Sequence, residues 1–208
     1  TYDHVAVKAQ EPEQTQFRFQ RAPWLVEGMT AREVIERNIL LADRALLSRM
    51  GIKSNGFRTP GGFTNGLEDR PDLQQMLLDL GFRWVSSKYP AHPSGEPKVA
   101  PPPEVYEGIV EAQSAAQPFV YPTGLVEIPC SPISDVTAFR THYWKLEHFL
   151  RAIRLGVEWA IRTGSVFDFL AHPSCLVVED PRLETIRMIC DLVQQAGDQA
   201  EIVSLDKI

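Results

Sequence analysis

The chain has 208 residues, of which 44% are hydrophobic and 23% charged, and its formal net charge is −6. A chain of this length can bury a sizeable core without a disulfide framework, so we predict a single domain over residues 1–208. The scattered basic residues exclude a phosphate-tracking surface, and no apolar run reaches membrane-spanning length. We therefore expect neither a nucleic-acid partner nor a membrane span. The three cysteines are odd in number and lack metal-ligand spacing, which slightly favours the cytoplasm over a secreted location.

The first recognisable helix has clear boundaries in the sequence. Thr30 is a typical N-cap, and Glu33 completes a capping box with it. Apolar residues recur at helical spacing as far as Met50, and Gly51 stands where a helix-ending glycine belongs. Residues 11–27, before this helix, are polar and without period, so we predict a loop there.

Strands and helices then alternate to the end of the chain. The predicted strands cover residues 56–57, 82–86, 125–128, 166–171 and 202–203, and the predicted helices cover residues 73–80, 105–116, 143–162 and 182–196. Alternation with short connections favours a parallel sheet with helices outside it, and thus the α/β class. Periodicity alone does not decide whether such a sheet closes into a barrel or stays open.

Two polar residues come directly after predicted strands. Arg58 follows the strand at 56–57, and His172 follows the apolar strand at 166–171. Because the carboxyl ends of parallel strands converge on one face, these are better candidates for a site than polar residues elsewhere. An imidazole suits proton transfer near neutral pH, and Pro173 fixes the backbone just after His172. The alternative is an ordinary surface or hydrogen-bonded histidine.

Residues 58–62 form an Arg-Thr-Pro-Gly-Gly segment that predicts a corner between a strand and a loop. Pro60 stiffens the corner, and Gly61 lets the backbone approach a ligand closely. Exposed N–H groups there would stabilise an oxyanion. The alternative is a tight turn that needs glycine only for its φ angles. His4 by itself does not make a metal site, because such sites need several donors.

Three segments together resemble the motifs of the polysaccharide deacetylase family, the NodB-homology carbohydrate esterases. That family carries a His-Ser/Thr-x-x-His pair, an Arg-x-Pro-aromatic-Gly turn and a late Leu-x-Leu-His strand end. The matching segments are Thr1-Tyr2-Asp3-His4, which lacks the first histidine of the pair, Arg58-Thr59-Pro60-Gly61-Gly62 and Phe169-Leu170-Ala171-His172. Their order and approximate distances agree over nearly the whole chain. The His172-Pro173 pair is similar to the branch with peptidoglycan deacetylase-like and allantoinase-like proteins.

The resemblance implies a distorted (β/α) barrel that holds one divalent metal ion, usually zinc, by an aspartate and two histidines. His4 would be a metal ligand, and His172 would be the general acid. The family's Thr-Phe-Asp-Asp motif, which supplies both aspartates, is absent from these residues. We therefore expect the domain to be N-terminally incomplete, without its first strand or strands, and this chain alone to be inactive.

The resemblance also implies roles for residues in the middle of the chain. Arg58, in the Arg-x-Pro turn, would orient the catalytic base, and Pro60 belongs to the same turn. The Gly61 amide would join the oxyanion pocket, and Trp84 lies near a segment where the family has an active-site tryptophan. Gly61 replaces the usual aromatic residue, which would open the pocket.

These expectations make the protein a metal-dependent hydrolase of amide-type C–N bonds, acting on a carbohydrate or other small molecule. Deacetylation of an N-acetylated carbohydrate is the leading prediction. The alternatives are a cyclic amide or ureide hydrolase of the allantoinase type and a non-catalytic carbohydrate-binding relative. A missing early strand would expose a sheet edge and favour homo-oligomers.

Overall fold

The computed structural model describes residues 1–208 and shows a mixed α/β chain. Its elements are α1 (Phe17–Arg21), α2 (Ala31–Met50), β1 (Gly56–Phe63), α3 (Pro71–Asp79), β2 (Trp84–Lys88), α4 (Pro103–Ala112), β3 (Phe119–Val120), β4 (Val126–Glu127), α5 (Leu146–Thr163), α6 (Pro173–Glu179) and α7 (Glu184–Ala196). The strands form one sheet in the order β1-β2-β4-β3. Strand β2 pairs with β4 in parallel, with Trp84 opposite Val126. No helix combines the length and the apolar character needed to cross a membrane.

Helix α2 follows the local signals of the sequence at both ends. The Thr30 N–H donates to Glu33 Oε2 at 2.6 Å, and the Glu33 N–H donates to Thr30 Oγ1 at 3.3 Å, which completes the predicted capping box. At the other end, Gly51 has a φ of 68°, a left-handed conformation that glycine adopts without cost. Ile35 and Ile39 face inward and are buried. The predicted boundaries of this helix are confirmed.

Contacts divide the chain into two compact units. The first comprises residues 1–87 and 120–127. Its core is built from apolar side chains of α2, β1, α3 and β2, among them Ile35, Phe57, Leu73, Met76 and Val85. One buried carboxylate also belongs to it: Glu127 accepts from the Ser87 N–H at 2.7 Å, the Ser87 hydroxyl at 2.6 Å and the Tyr121 hydroxyl at 2.7 Å. Burial and the neighbouring Glu127 raise the pKa of Tyr121.

The second unit comprises residues 88–119 and 128–208. Helix α5 is its central element, because Phe149 and Ile153 on its inner face are completely buried. These two side chains belong to a cluster with residues of α4, α6 and α7. Helix α5 ends at Gly164, which has a φ of 61°, as its sequence predicts. The units are the observed organisation, and the single domain remains a prediction.

Two predicted strands are absent, and one predicted loop is partly helical. Residues 166–171 do not form a strand. Side chains, and not a neighbouring strand, accept the hydrogen bonds of two of their backbone N–H groups. The Val166 N–H donates to Gln117 Oε1 at 2.9 Å, and the Asp168 N–H donates to Ser131 Oγ at 3.0 Å. Residues 202–203 are irregular, and Ile202 is exposed. Residues 11–27 contain α1 and two short 3-10 turns.

Strand β1 is longer than predicted and includes the segment expected to form a corner. It runs from Gly56 through Phe63, so Arg58 and Pro60 lie within the strand and not after it. Gly61 retains the turn-like feature, since its φ is +79°. The Thr59 hydroxyl donates to the Gly61 carbonyl at 2.6 Å, a contact within the strand. A mixed α/β fold with a four-stranded sheet is confirmed, while the barrel remains a prediction.

Candidate active site

The sharpest polar arrangement in the second unit is a pair formed by Asp135 and His172. The His172 ring Nδ1 lies 2.8 Å from Asp135 Oδ1, and the His172 backbone N–H donates to Asp135 Oδ2 at 2.7 Å. Because a carboxylate only accepts hydrogen bonds, Nδ1 carries the proton. The Nε2 atom of neutral His172 is therefore the acceptor. The Asp135 side chain is fully buried, whereas that of His172 is 48% exposed, so the ring can reach a substrate.

The backbone after Asp135 holds its carboxylate in place. Residues Val136–Thr141 form a single π-helical turn, and Asp135 is its N-cap. The Val136 N–H donates to Asp135 Oδ1 at 2.8 Å. Oδ1 thus accepts hydrogen bonds from the Val136 N–H and the His172 ring, and Oδ2 accepts one from the His172 N–H. Isolated π-helical turns are frequent at functional sites, because they redirect side chains within a helix.

The backbone before Asp135 is held by a chain of three hydrogen bonds. The Ser134 N–H donates to the Tyr89 hydroxyl oxygen at 2.9 Å. His92 Nδ1 lies 2.9 Å from the Pro93 carbonyl, which only accepts, so Nδ1 carries the proton. His92 Nε2 therefore accepts from the Tyr89 hydroxyl, 2.9 Å away. Burial raises the pKa of Tyr89 and lowers the pKa of His92, so both groups stay neutral.

Cys175 and Arg140 lie beside the Asp135–His172 pair. The Cys175 thiol is buried, and burial followed by the charge of Asp135 raises its pKa, while Arg140 opposes the shift. The thiol therefore stays protonated and is a poor nucleophile. Arg140 Nη2 donates to the Ser174 hydroxyl at 3.4 Å. Proton transfer at His172 is thus the chemistry that this cluster supports, rather than attack by a thiolate.

The sequence-predicted residues of the middle segment all lie in the first unit. Arg58, Pro60 and Gly61 belong to β1, which neighbours β2, where Trp84 is the first residue. A Cβ at Gly56 would lie 1.8 Å from the Trp84 ring, so the indole lies directly against the backbone there. The Trp84 indole Nε1 is buried and has no hydrogen-bond partner. The structure brings these residues into one sheet, whereas His172 belongs to the second unit.

The resemblance implies a metal ion with His4 among its ligands. His4 is the only predicted ligand in the chain; it is exposed, with a φ of 56°. Nowhere in residues 1–208 do three or more His, Cys, Asp or Glu side chains converge as a metal site requires. The metal ion therefore remains a prediction that follows from the resemblance alone.

A groove of about 620 Å³ lies between α5 and α7, apart from the Asp135–His172 pair. Its lining is made of charged and apolar side chains that include Arg151, Arg154, Glu184 and Met188. Neither Asp135 nor His172 contributes to it. The candidate site therefore rests on the arrangement of side chains and not on the size of a cavity.

Sequence analysis found His172 but missed Asp135, which precedes it by thirty-seven residues. The available signal was an acidic residue in the otherwise apolar and small-residue segment 128–136, where a buried charge needs a partner. Arg140 and Cys175 carried no signal of their own, since their proximity to the pair depends on tertiary folding. The other three histidines of the second unit, at positions 92, 142 and 148, all make hydrogen bonds.

The comparisons with known proteins give no match: no family model, no curated protein and no solved structure is significantly similar to this chain. The resemblance to the polysaccharide deacetylases therefore depends on the three sequence segments alone. Membership of that family remains a prediction.

Proposed function

We propose that this protein hydrolyses amide-type C–N bonds, with deacetylation of an N-acetylated carbohydrate as its reaction. The observation that carries the proposal is the contact between Asp135 and the Nδ1 atom of His172, at 2.8 Å. A buried carboxylate that fixes the tautomer of an exposed imidazole is the usual arrangement of a catalytic histidine.

The pair suits the difficult step of amide hydrolysis. Water adds to the amide carbonyl, and the C–N bond then breaks to give a carboxylic acid and an amine. The departing nitrogen is a poor leaving group unless it takes up a proton. Protonated His172 can donate that proton from Nε2, and Asp135 stabilises the imidazolium through Nδ1. The pair thereby returns to the neutral tautomer that the hydrogen bonds favour.

The resemblance adds expectations that this geometry does not test. It implies that the sheet belongs to a distorted (β/α) barrel, which the parallel pairing of β2 and β4 supports. It also implies a divalent ion, usually zinc, with His4 among its ligands, and a pocket with Arg58, Pro60, Gly61 and Trp84.

The test of the proposal measures the hydrolysis products that the purified full-length protein forms after it has been loaded with zinc. N-acetylated sugars should release acetate, and cyclic ureides should not be opened to ureido acids. The variant His172→Ala should lower kcat/KM by about 10²- to 10⁴-fold, the usual contribution of a general acid. The matched control is His148→Ala, which removes a half-buried histidine that contacts the Tyr106 hydroxyl at 3.1 Å.

The results separate the alternatives. Ring opening of a cyclic ureide to its ureido acid, lost in His172→Ala, would replace the deacetylase by a ureide hydrolase with the same acid. Equal activity of both variants and the wild type would contradict the catalytic role of His172. Sugar binding without any hydrolysis would support the non-catalytic relative.

A further inference from the structure

Arg140 follows Asp135 in the chain and makes a hydrogen bond to the segment that follows His172. It belongs to the π-helical turn Val136–Thr141, which begins directly after Asp135. Its Nη2 atom donates to the Ser174 hydroxyl at 3.4 Å, and Ser174 follows His172 by two positions. The guanidinium therefore lies at the N-terminus of α6, which His172 caps.

The charge of Arg140 is not neutralised by an acidic side chain. The residue is exposed, and no carboxylate lies within 4.0 Å of its guanidinium. The nearby Asp135 carboxylate is already engaged by the Val136 N–H, the His172 N–H and the His172 ring. Asp135 and Arg140 nevertheless act on one thiol, because they shift the pKa of Cys175 in opposite directions. Arg140 is thus an available cation within electrostatic range of the site.

We propose that Arg140 binds a carboxylate of the substrate next to the scissile amide, so that the protein acts on carboxylate-bearing amides. This inference rests on the proposed function, because it assumes that the amide is presented to His172 Nε2. It narrows the substrate class from N-acetylated carbohydrates in general to those that carry an acidic group near the amide.

The geometry favours a carboxylate over a neutral group or a phosphate. A guanidinium offers five N–H donors in a planar fork that matches the two oxygens of a carboxylate. The internal contacts of this fork go to the Ser174 hydroxyl and the Cys175 thiol, which leaves N–H donors for an anion. That hydroxyl can donate to the same anion while it accepts from Arg140. One cation and one hydroxyl match a single negative charge, whereas phosphate sites combine more donors.

The test measures binding and does not depend on turnover. The probes are N-acetylglycine, which carries a carboxylate, and N-acetylglycinamide, its neutral counterpart. The side-chain NMR signals of Arg140 Nε–H and His172 Cε1–H are followed as each probe is added to the full-length protein. N-acetylglycine should shift both signals, and Arg140→Gln should weaken its binding about tenfold or more, since a hydrogen bond to a charged group is lost.

The matched control is Arg154→Gln, which removes another arginine of the second unit, 3.7 Å from Glu158 on α5. It should bind N-acetylglycine as the wild type does. Equal binding of the two probes, or equal binding by Arg140→Gln and the wild type, would overturn the inference. Since hydrolysis is measured separately with His172→Ala, a failure of the proposed reaction and a failure of carboxylate binding are distinguishable.

Discussion

The carboxylate of Asp135 contacts His172 twice, at the ring Nδ1 and at the backbone N–H, with distances of 2.8 and 2.7 Å. Two contacts from one fully buried carboxylate fix both the position of the residue and the direction of its ring. A histidine held only by its ring could rotate away from a substrate. The arrangement therefore pre-organises Nε2 for proton transfer.

The tautomer of His172 follows directly from this geometry. In the neutral state Nδ1 should carry the proton and Nε2 should not, because Asp135 only accepts hydrogen bonds. Nitrogen-15 NMR of the ring distinguishes a protonated from an unprotonated nitrogen. Asp135→Asn should reduce this preference, because its amide group can donate as well as accept. A wild-type protein with the proton mainly on Nε2 would contradict the assigned pair.

The three free cysteines should differ in reactivity. Cys190 is exposed, whereas Cys130 and Cys175 are buried, and burial together with Asp135 raises the pKa of Cys175. A raised pKa lowers the thiolate fraction, so iodoacetamide at pH 8 should modify Cys190 first. Peptide mass spectrometry over time measures the order. Modification of Cys175 as fast as Cys190 would show that its thiol is not shielded in the native protein.

Acid should destabilise the protein partly through His92. Its pKa is lowered from 6.5 by burial, so the folded state binds this proton less well than the unfolded state. The stabilising contribution is complete above pH 6.5 and decreases as the pH falls from there toward the folded pKa. The free energy of unfolding, measured with urea, should vary less steeply with pH in His92→Gln than in the wild type. Identical slopes between pH 6.5 and the folded pKa would refute this assignment.

Gly56→Ala should destabilise the first unit. The added Cβ would lie 1.8 Å from the Trp84 ring, so the backbone or the indole must move. Overpacking of this kind costs about 1–3 kcal/mol. The control is Gly124→Ala, where no atom lies within 4 Å and only the φ of +93° opposes a side chain. Adding Trp84→Leu should recover part of the stability lost in Gly56→Ala but none of that lost in Gly124→Ala. An equal recovery in both would contradict the contact between residue 56 and the Trp84 ring.

Local signals predicted the longer helices but not the short helices α1 and α6. The Thr30–Glu33 capping box and the glycines at 51 and 164 each act within a few residues, so their effect is readable in the sequence. The apolar segment 166–171 misled the prediction, because its backbone is satisfied by Gln117 and Ser131, which are distant in sequence. A hydrophobic run identifies a buried segment but does not show that a strand lies beside it.

The candidate site shows the same limit. His172 was recognisable because a proline follows it and an apolar run precedes it. The positions of its partner Asp135 and of the neighbouring Arg140 depend on a π-helical turn that no sequence pattern predicted. Arg58 was expected after a strand but lies inside β1, because that strand continues through Pro60 and Gly61.

The most direct test of the central claim compares two leaving groups. The full-length protein and His172→Ala are assayed with an N-acetylated amine and with p-nitrophenyl acetate, whose phenolate leaves without a proton. If His172 protonates the leaving group, the variant should lose about 10²- to 10⁴-fold in kcat/KM on the amide and much less on the ester. An equal loss on both substrates, or no loss on either, would contradict the role of His172 as the general acid.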